Sequence, residues 1–288
     1  MKKSRVFTCN RKSCGIIGSQ LQFLMIFMLV IIGVQQSAGA TDFEVDGVYY
    51  NIVDFQDLTC SVYGAQNKTD IVIPTKVSYN GKELTVVKIE DSAFWSTNGN
   101  MRTISIGGEV TYVGENAFKG CTKLWKVRLE DGTSSVYFKN QNNGTPSYGD
   151  NLFVDCPLTE LYIGRNISYY IGTFAYEPIY FPPFNGKNYS KVIIGNTVTE
   201  IAASMFNYSS IDTLVIGTDV ERIGRSCFYG TYGGGTTCKV IYCYASTPPV
   251  FEYEGYFINS VYLDTPLYVE EGCKSLYESA ADANCEVP

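Results

Sequence analysis

The chain has 288 residues, of which 45% are hydrophobic and 18% charged, and it contains no histidine. Without histidine, the ordinary serine and cysteine triads are excluded, and zinc binding is disfavoured because no paired C-x-x-C is present either. The excess of acidic residues, 29 Asp and Glu against 22 Lys and Arg, disfavours nucleic acid as a partner.

The first 40 residues have the features of a cleaved export signal. A basic start precedes an almost purely apolar run over residues 21–34, and Ala38-Gly39-Ala40 supplies the small residues of a signal-peptidase site. The apolar run is short for a membrane span and no second one follows. We therefore expect residues 1–40 to be removed, leaving an exported chain without a membrane span and with a formal net charge of −12, since five of the basic and none of the acidic residues are lost.

Residues 41–83 are predicted to form a β cap built from hairpins. Asp46-Gly47 and Asn80-Gly81 each lie between alternating apolar runs, and these dipeptides are the strongest short-range hairpin signals. A cap is needed here because the region that follows is repetitive, and the first apolar layer of a repeat stack would otherwise face water.

A double apolar pattern recurs between residues 84 and 263. Its most complete copy, residues 110–129, sets a phenylalanine eight residues after a valine and then continues as L-x-x-V-x-L. The aromatic position recurs at Phe94, Phe118, Phe206 and Phe228, with separations of 22 to 24 residues inside each pair. This is the period of leucine-rich repeats. The pattern predicts a curved, β-rich leucine-rich-repeat solenoid with one short strand per repeat.

Two stretches depart from the repeat. Residues 130–150 are rich in Asn, Ser and Gly, and residues 169–188 contain Pro178, Pro182 and Pro183. Because such residues interrupt ladder hydrogen bonding, both stretches are predicted to be insertions that loop out of the solenoid.

Residues 264–288 are predicted to form a C-terminal cap. A short strand at 267–269 precedes a helix over residues 274–283, with Leu276, Tyr277 and Ala280 on its packing face.

The cysteines allow two interpretations. Cys121 and Cys156 both follow a repeat phenylalanine by three residues, which favours small buried side chains stacked in a ladder over disulfide formation. Cys273 and Cys285 lie outside the repeat frame and are better disulfide candidates in an exported protein.

The unit V-x-x-I-G-x-x-A-F-x-x-C-x-x-L-x-x-V-x-L, seen most fully at residues 110–129, resembles the BspA-like leucine-rich repeat family of bacterial cell-surface proteins. The segments D-G-V-Y-Y near the start and L-Y-V-E-E-G-C-K-S-L-Y near the end resemble the usual ends of that family. The resemblance implies an exported or surface-attached protein, some of whose relatives bind host matrix proteins or other bacteria.

Alternation along each L-x-x-V-x-L strand places the residues between the consensus positions on one shared, concave surface. The candidate ligand-binding residues are Lys126, Arg128, Glu160, Tyr162, Lys191, Ile193, Val215, Lys239, Ile241 and Tyr262. Aromatic and basic side chains with few competing acids are typical of interface centres. The alternative is ordinary exposed β surface, because Ile and Val also follow from strand propensity.

We therefore predict an extracellular or cell-surface recognition or adhesion protein that is not an enzyme and needs no cofactor or metal. It would bind a protein or glycan on a host or neighbouring cell through its concave strand face. The alternative is a carbohydrate-binding component of a surface glycan system, because tyrosines are crowded between residues 162 and 189 and aromatic rings stack on sugars. Neighbouring acids such as Glu130-Asp131 are interpreted as solvated turn charges, not as a glycosidase pair.

Overall fold

The structure is a computed structural model that describes residues 42–95, 99–139, 152–169, 171–174, 177–180, 182–228, 237–252 and 265–285. The predicted export signal, Tyr262 and part of each predicted insertion lie outside these residues. The strands are β1 (Phe43–Val45), β2 (Val48–Asp54), β3 (Thr59–Ala65), β4 (Asp70–Ile73), β5 (Lys76–Tyr79), β6 (Lys82–Ile89), β7 (Thr103–Ile106), β8 (Tyr112–Val113), β9 (Lys126–Leu129), β10 (Val136–Phe138), β11 (Glu160–Ile163), β12 (Ile167–Tyr169), β13 (Ile171–Phe174), β14 (Glu177–Tyr180), β15 (Asn188–Ile194), β16 (Glu200–Ile201), β17 (Ser210–Ile216), β18 (Arg222–Ile223), β19 (Thr237–Cys243), β20 (Val250–Phe251) and β21 (Leu267–Val269). A 3-10 turn (Glu271–Cys273) leads into the helix α1 (Lys274–Cys285).

Eight parallel strands form what we call the long sheet, in the order β4-β7-β9-β11-β15-β17-β19-β21. The repeat frame fixes the register, so that Val127 of β9 lies between Ile104 and Leu161 of its neighbours. Within β7, β9 and β11, buried residues alternate with half-buried ones, as the L-x-x-V-x-L pattern predicts. One strand per repeat in a shared parallel sheet confirms the predicted solenoid.

Both predicted hairpins are confirmed in the N-terminal segment. Asp46 and Gly47 have φ of 50° and 71°, and Asn80 and Gly81 have φ of 50° and 74°. Positive φ at both central residues defines the type I′ turn, which joins antiparallel strands without splaying them. The turns connect β1 to β2 and β5 to β6, which belong to a second sheet. Within the segment predicted as a cap, β4 is already the end strand of the long sheet.

The repeats also supply a second set of strands, and its two- and three-residue members were not indicated by the sequence pattern. Strands β6, β8, β10 and β12 pair in parallel in the second sheet, and β16, β18 and β20 form a separate short sheet. The prediction that residues 130–150 loop out is therefore wrong for β10, where Val136 and Phe138 are completely buried. Because the residues around this short strand are mostly polar, its two inward side chains did not stand out as a strand pattern in the sequence.

A ladder of stacked phenylalanines fills the core between the strands. The rings of Phe94 and Phe118 are 5.4 Å apart between centroids, those of Phe118 and Phe153 are 5.0 Å apart, and those of Phe206 and Phe228 are 5.8 Å apart. Phe184 stacks on Phe153 at 5.2 Å and is completely buried, so the predicted insertion 169–188 also contributes to the core. Offset or stacked rings at these distances are favourable beyond the area that they bury.

The C-terminal strand and helix occur where the sequence predicts them. The hydroxyl of Tyr277 on α1 donates a hydrogen bond to the Ala245 carbonyl at 2.9 Å, which ties the helix to the end of the long sheet. Leu276, however, is 50% exposed, so the packing face predicted from residues 276, 277 and 280 is wrong at that position.

Asp91 joins two neighbouring repeats through charged contacts. Its carboxylate accepts hydrogen bonds from Lys139 Nζ at 2.8 Å and from the Glu115 N–H at 2.9 Å. Burial alone would raise the pKa of Asp91, but the hydrogen bonds from Lys139 and Glu115, together with the lysine charge, hold that pKa below its ordinary value. A lowered folded-state pKa stabilises the fold above the unfolded-state value of about 4, and this contribution is lost as the pH falls.

We expect Asp91→Asn to lower the free energy of unfolding at pH 7 by about 0.5 to 1 kcal/mol, a modest effect because the side chain is half exposed. The difference between the variant and the wild type should shrink as the pH falls below about 4, where the carboxylate becomes protonated. Urea unfolding at pH 7 and pH 3 measures both values. An equal difference at the two pH values would contradict the assignment.

Candidate ligand-binding face

The outward side chains of the long sheet form two rows that run across the strands, which we call the outward face. The first row follows the register Asp70, Thr103, Lys126, Glu160, Lys191, Thr213 and Val240. The second row is Val72, Ser105, Arg128, Tyr162, Ile193, Val215, Tyr242 and Tyr268. Because neighbouring strands lie about 4.8 Å apart, the residues of each row are adjacent in space.

The half of the outward face on β7, β9 and β11 is polar, and its charges pair within the chain. Lys126 Nζ lies 3.0 Å from Glu160 Oε2, and Arg128 Nε donates to Glu130 Oε2 at 2.8 Å. The Arg128 guanidinium also lies 3.7 Å from the centroid of the Tyr162 ring, whose hydroxyl donates to Asp131. The predicted basic surface is therefore largely neutralised by its own acids.

Arg128 and Tyr162 keep their charge states near neutral pH. Burial raises the pKa of Tyr162, and its hydrogen bond to Asp131 raises it further. Burial lowers the pKa of Arg128, but the hydrogen bond to Glu130 and the electrostatic attraction of Glu130, Tyr162 and Asp131 together outweigh it and leave that pKa above its ordinary value. Tyr162 thus stays neutral and Arg128 stays charged, which preserves the cation–π contact.

The other half of the outward face, on β15 to β21, is apolar along its second row. Ile193 and Val215 are half-buried, while Tyr242 and Tyr268 are 36% and 55% exposed. The two tyrosine rings stack on each other with centroids 5.1 Å apart. Lys191 lies at the border of this half, is exposed, and makes no ion pair with any residue that the structure describes. We call Ile193, Val215, Tyr242 and Tyr268 the apolar row.

The sequence-based assignment of β19 is wrong by one residue. Ile241 pairs with Leu214, points into the core and is only 9% exposed, so it does not belong to the outward face. Lys239 is exposed and lies 2.6 Å from Asp212, but it precedes the first row by one position. The outward residues of β19 are Val240 and Tyr242.

The missed signal was present in the sequence. Cys238-x-x-Ile241-x-Cys243 has the L-x-x-V-x-L spacing if both cysteines are read as small buried hydrophobes, and both are indeed buried. The strand that pairs with β19 on its other side is β21, so Tyr268 continues the second row. Tyr262, the residue predicted for that place, lies outside the described residues.

Two of the tyrosines considered for sugar stacking are core residues. Tyr189 is buried and its hydroxyl donates to the Phe184 carbonyl at 2.8 Å, and Tyr169 is buried as well. Complete burial raises the pKa of Tyr189. Neither ring offers a face to a ligand.

The described segments contain no group of three or more Cys, Asp or Glu side chains arranged to hold a metal ion. No helix in the part of the chain that the structure describes combines the length and the apolar character needed to cross a membrane.

A stack of parallel, in-register strands, with one phenylalanine rung per turn and a single outward face, defines a leucine-rich-repeat protein. The sequence matches the BspA type leucine rich repeat region in six copies, over residues 63–180 and 87–233. The chain therefore belongs to the BspA-type leucine-rich repeat family. No curated protein matches the chain.

Several solved structures are similar to this chain. A leucine rich cell surface protein from Faecalibacterium prausnitzii is 17% identical, with a TM-score of 0.34, over 73% of this chain and 56% of that protein. A leucine-rich repeat protein from Bacteroides ovatus is 16% identical, with a TM-score of 0.33, over 82% of this chain and 70% of that protein. A leucine rich repeat protein from T. pallidum is 15% identical, with a TM-score of 0.39, over 83% of this chain and 94% of that protein. The chain thus spans little more than half the length of the F. prausnitzii protein.

Proposed function

We propose that this protein is an exported, cell-surface recognition or adhesion module that is not an enzyme and binds a macromolecule through its outward face. The observation that carries the proposal is the apolar row, in which four uncharged side chains follow one another across β15, β17, β19 and β21. Aromatic and aliphatic side chains surrounded by polar ones are the usual composition of a protein interface centre.

The polar half of the outward face fits the rim of such an interface. Its charges already have partners, as in the Lys126–Glu160 and Arg128–Glu130 pairs, so burying them against a ligand would gain little Coulomb energy. Lys191 remains available for an acidic group of the partner, and it borders the apolar row directly. The proposed partner is therefore a protein surface that is mainly apolar and carries an acidic side chain opposite Lys191.

The ring geometry weighs against the glycan alternative on this face. Sugar stacking needs an open aromatic face. The Arg128 guanidinium covers one side of the Tyr162 ring, and Tyr242 and Tyr268 each cover one side of the other's ring. We therefore favour a protein partner over a glycan.

We expect Tyr242→Ala to weaken binding of the partner by about 5- to 30-fold, which corresponds to roughly 1 to 2 kcal/mol, because central aromatic residues dominate interface energies. The experiment measures binding of the purified protein to a panel of extracellular-matrix proteins by biolayer interferometry, with a glycan array run in parallel. The matched control is Tyr137→Ala, which truncates a tyrosine of the second sheet that stacks on Tyr112.

Three outcomes separate the alternatives. Loss of affinity in Tyr242→Ala but not in Tyr137→Ala supports the outward face. Binding only on the glycan array supports the carbohydrate alternative. Equal affinity of Tyr242→Ala, Val215→Ser and the wild type for a matrix protein would overturn the assignment of the apolar row.

A further inference from the structure

A second stack of side chains accompanies the phenylalanine ladder at a distance of three residues along the chain. In three consecutive turns its members are Cys121, Cys156 and Lys187, which follow Phe118, Phe153 and Phe184. Both cysteines are buried and Lys187 is half-buried. This stack lies in the core and takes no part in the outward face.

The two cysteines are in contact through a shared carbonyl. The Phe118 oxygen accepts a hydrogen bond from the Cys121 N–H at 3.2 Å and another from the Cys156 thiol at 3.1 Å. The Cys156 sulfur therefore lies against the backbone of Cys121. The turns that carry them are equivalent, and the rings of Phe118 and Phe153 stack with an interplanar angle of 1°. Neighbouring parallel strands lie about 4.8 Å apart, and Cα atoms at about this spacing fall within the range of disulfides.

Lys187 makes the environment of the two sulfurs unequal. Its ammonium donates to the carbonyls of Phe153 at 3.0 Å and Cys156 at 3.4 Å. Hydrogen bonding from Cys121 lowers the pKa of the Cys156 thiol, against the effect of burial, and the charge of Lys187 lowers it further. The same hydrogen bond, together with burial, raises the pKa of Cys121. Cys156 is thus the member of the pair that forms a thiolate more readily, and the thiolate is the reactive species.

The position of the pair in the chain adds an independent argument. Phe118 and Phe153 are 35 residues apart, whereas Phe94 and Phe118 are separated by 24 and Phe206 and Phe228 by 22. A covalent link between Cys121 and Cys156 would close this longest repeat. Closing a long loop removes conformational freedom from the unfolded chain.

We propose that Cys121 and Cys156 are a redox-active pair that oxidises to a disulfide linking two neighbouring turns of the solenoid. The Cys156 thiolate attacks a small-molecule disulfide or the disulfide of a thiol–disulfide oxidoreductase, whose S–S bond breaks and releases one thiol. Cys121 then loses its proton and attacks the sulfur of Cys156, which displaces the second thiol. Two thiols of the protein are oxidised and one external disulfide is reduced. Because both sulfurs are buried, the exchange takes place during folding or during local opening of the turn.

The test compares oxidised and reduced forms of the purified protein. The protein is equilibrated in a glutathione redox buffer, its remaining thiols are alkylated in denaturant, and its peptides are mapped by mass spectrometry. The expected result is a linked pair of peptides containing Cys121 and Cys156. The melting temperature of the oxidised form should rise by about 5 to 10 °C, and reductant should reverse the shift.

Variants separate a specific link from a general effect of oxidation. Cys121→Ser should abolish both the linked peptides and the thermal shift, whereas Cys227→Ser, which alters another buried cysteine, should keep them. Lys187→Met should slow the oxidation about threefold, because less of Cys156 is ionised. Complete alkylation of Cys121 and Cys156 in the wild type after oxidation, or a link that joins either of them to another cysteine, would overturn the proposal without reference to any variant.

Discussion

Replacing Phe118 by alanine is expected to lower the free energy of unfolding by about 3 to 5 kcal/mol, a large share of the stability of an ordinary domain. The phenyl ring is completely buried and stacks on Phe94 on one side and on Phe153 on the other. Its removal leaves a cavity between two rungs of the ladder, and both neighbouring rings lose a contact. Urea unfolding followed by circular dichroism measures the difference.

Phe55→Ala is the matched control, because Phe55 is 44% exposed on the surface. We expect this variant to lose less than about 1 kcal/mol. Phe118→Leu should recover part of the loss by refilling the cavity with aliphatic volume. Equal losses in Phe118→Ala and Phe55→Ala would show that the ladder does not stabilise the fold.

Replacing Arg165 by alanine is expected to lower the free energy of unfolding by about 3 kcal/mol, through the combined loss of buried volume and hydrogen bonds. Arg165 is completely buried, and its guanidinium donates to the carbonyls of Gly107, at 3.0 Å, and Gly108, two repeats away. Gly132 permits this reach, because a Cβ at that position would lie 3.1 Å from Arg165 Cδ and 2.7 Å from the Gly108 oxygen. Burial lowers the pKa of Arg165 to about 10, so the side chain stays charged at neutral pH.

The Arg165→Met variant separates the contribution of buried volume from that of the hydrogen bonds. Methionine refills the stem volume and removes the desolvation penalty of the charge, but it leaves the Gly108 carbonyl without the arginine donor, so we expect a loss of about 1 kcal/mol. Arg222→Ala is the control for removing an arginine whose ion pairs with Glu200 and Glu252 are exposed, and it should lose less than about 1 kcal/mol. The interpretation fails if Arg165→Ala loses no more than Arg222→Ala.

The parts of the fold that follow from local rules could be predicted from the sequence. The 22- to 24-residue spacing predicted the long sheet, and the Asp-Gly and Asn-Gly dipeptides predicted the hairpins, because each signal lies within a few residues of the structure that it forms. Short strands such as β8 and β16 were not predicted, since two residues are too few to show a periodicity. Phe184 escaped because prolines precede it and its distance from Phe153 departs from the period.

The prediction of outward residues was wrong in β19, where the choice between the two faces of the strand depended on reading the register correctly. In β19, cysteines occupy the positions that aliphatic residues hold in other strands, so the inward set was read one residue too early. A slip of one residue moves every side chain of a strand to the opposite face.

The burial of Arg165 was missed for a different reason, because an arginine that follows a strand ordinarily lies in solvent. Only the carbonyls two repeats away explain its burial.

Because the strands of the long sheet pair in register, the number of strands sets the width of the outward face. Each strand adds about 4.8 Å to the width of the outward face, so that eight strands measure roughly 34 Å from the first to the last. Duplication of one repeat in the gene would widen the outward face by one strand and add one side chain to each outward row. Every existing strand except the two at the new junction would keep its neighbours. The width of the outward face can therefore change by gene duplication without redesign of the interior.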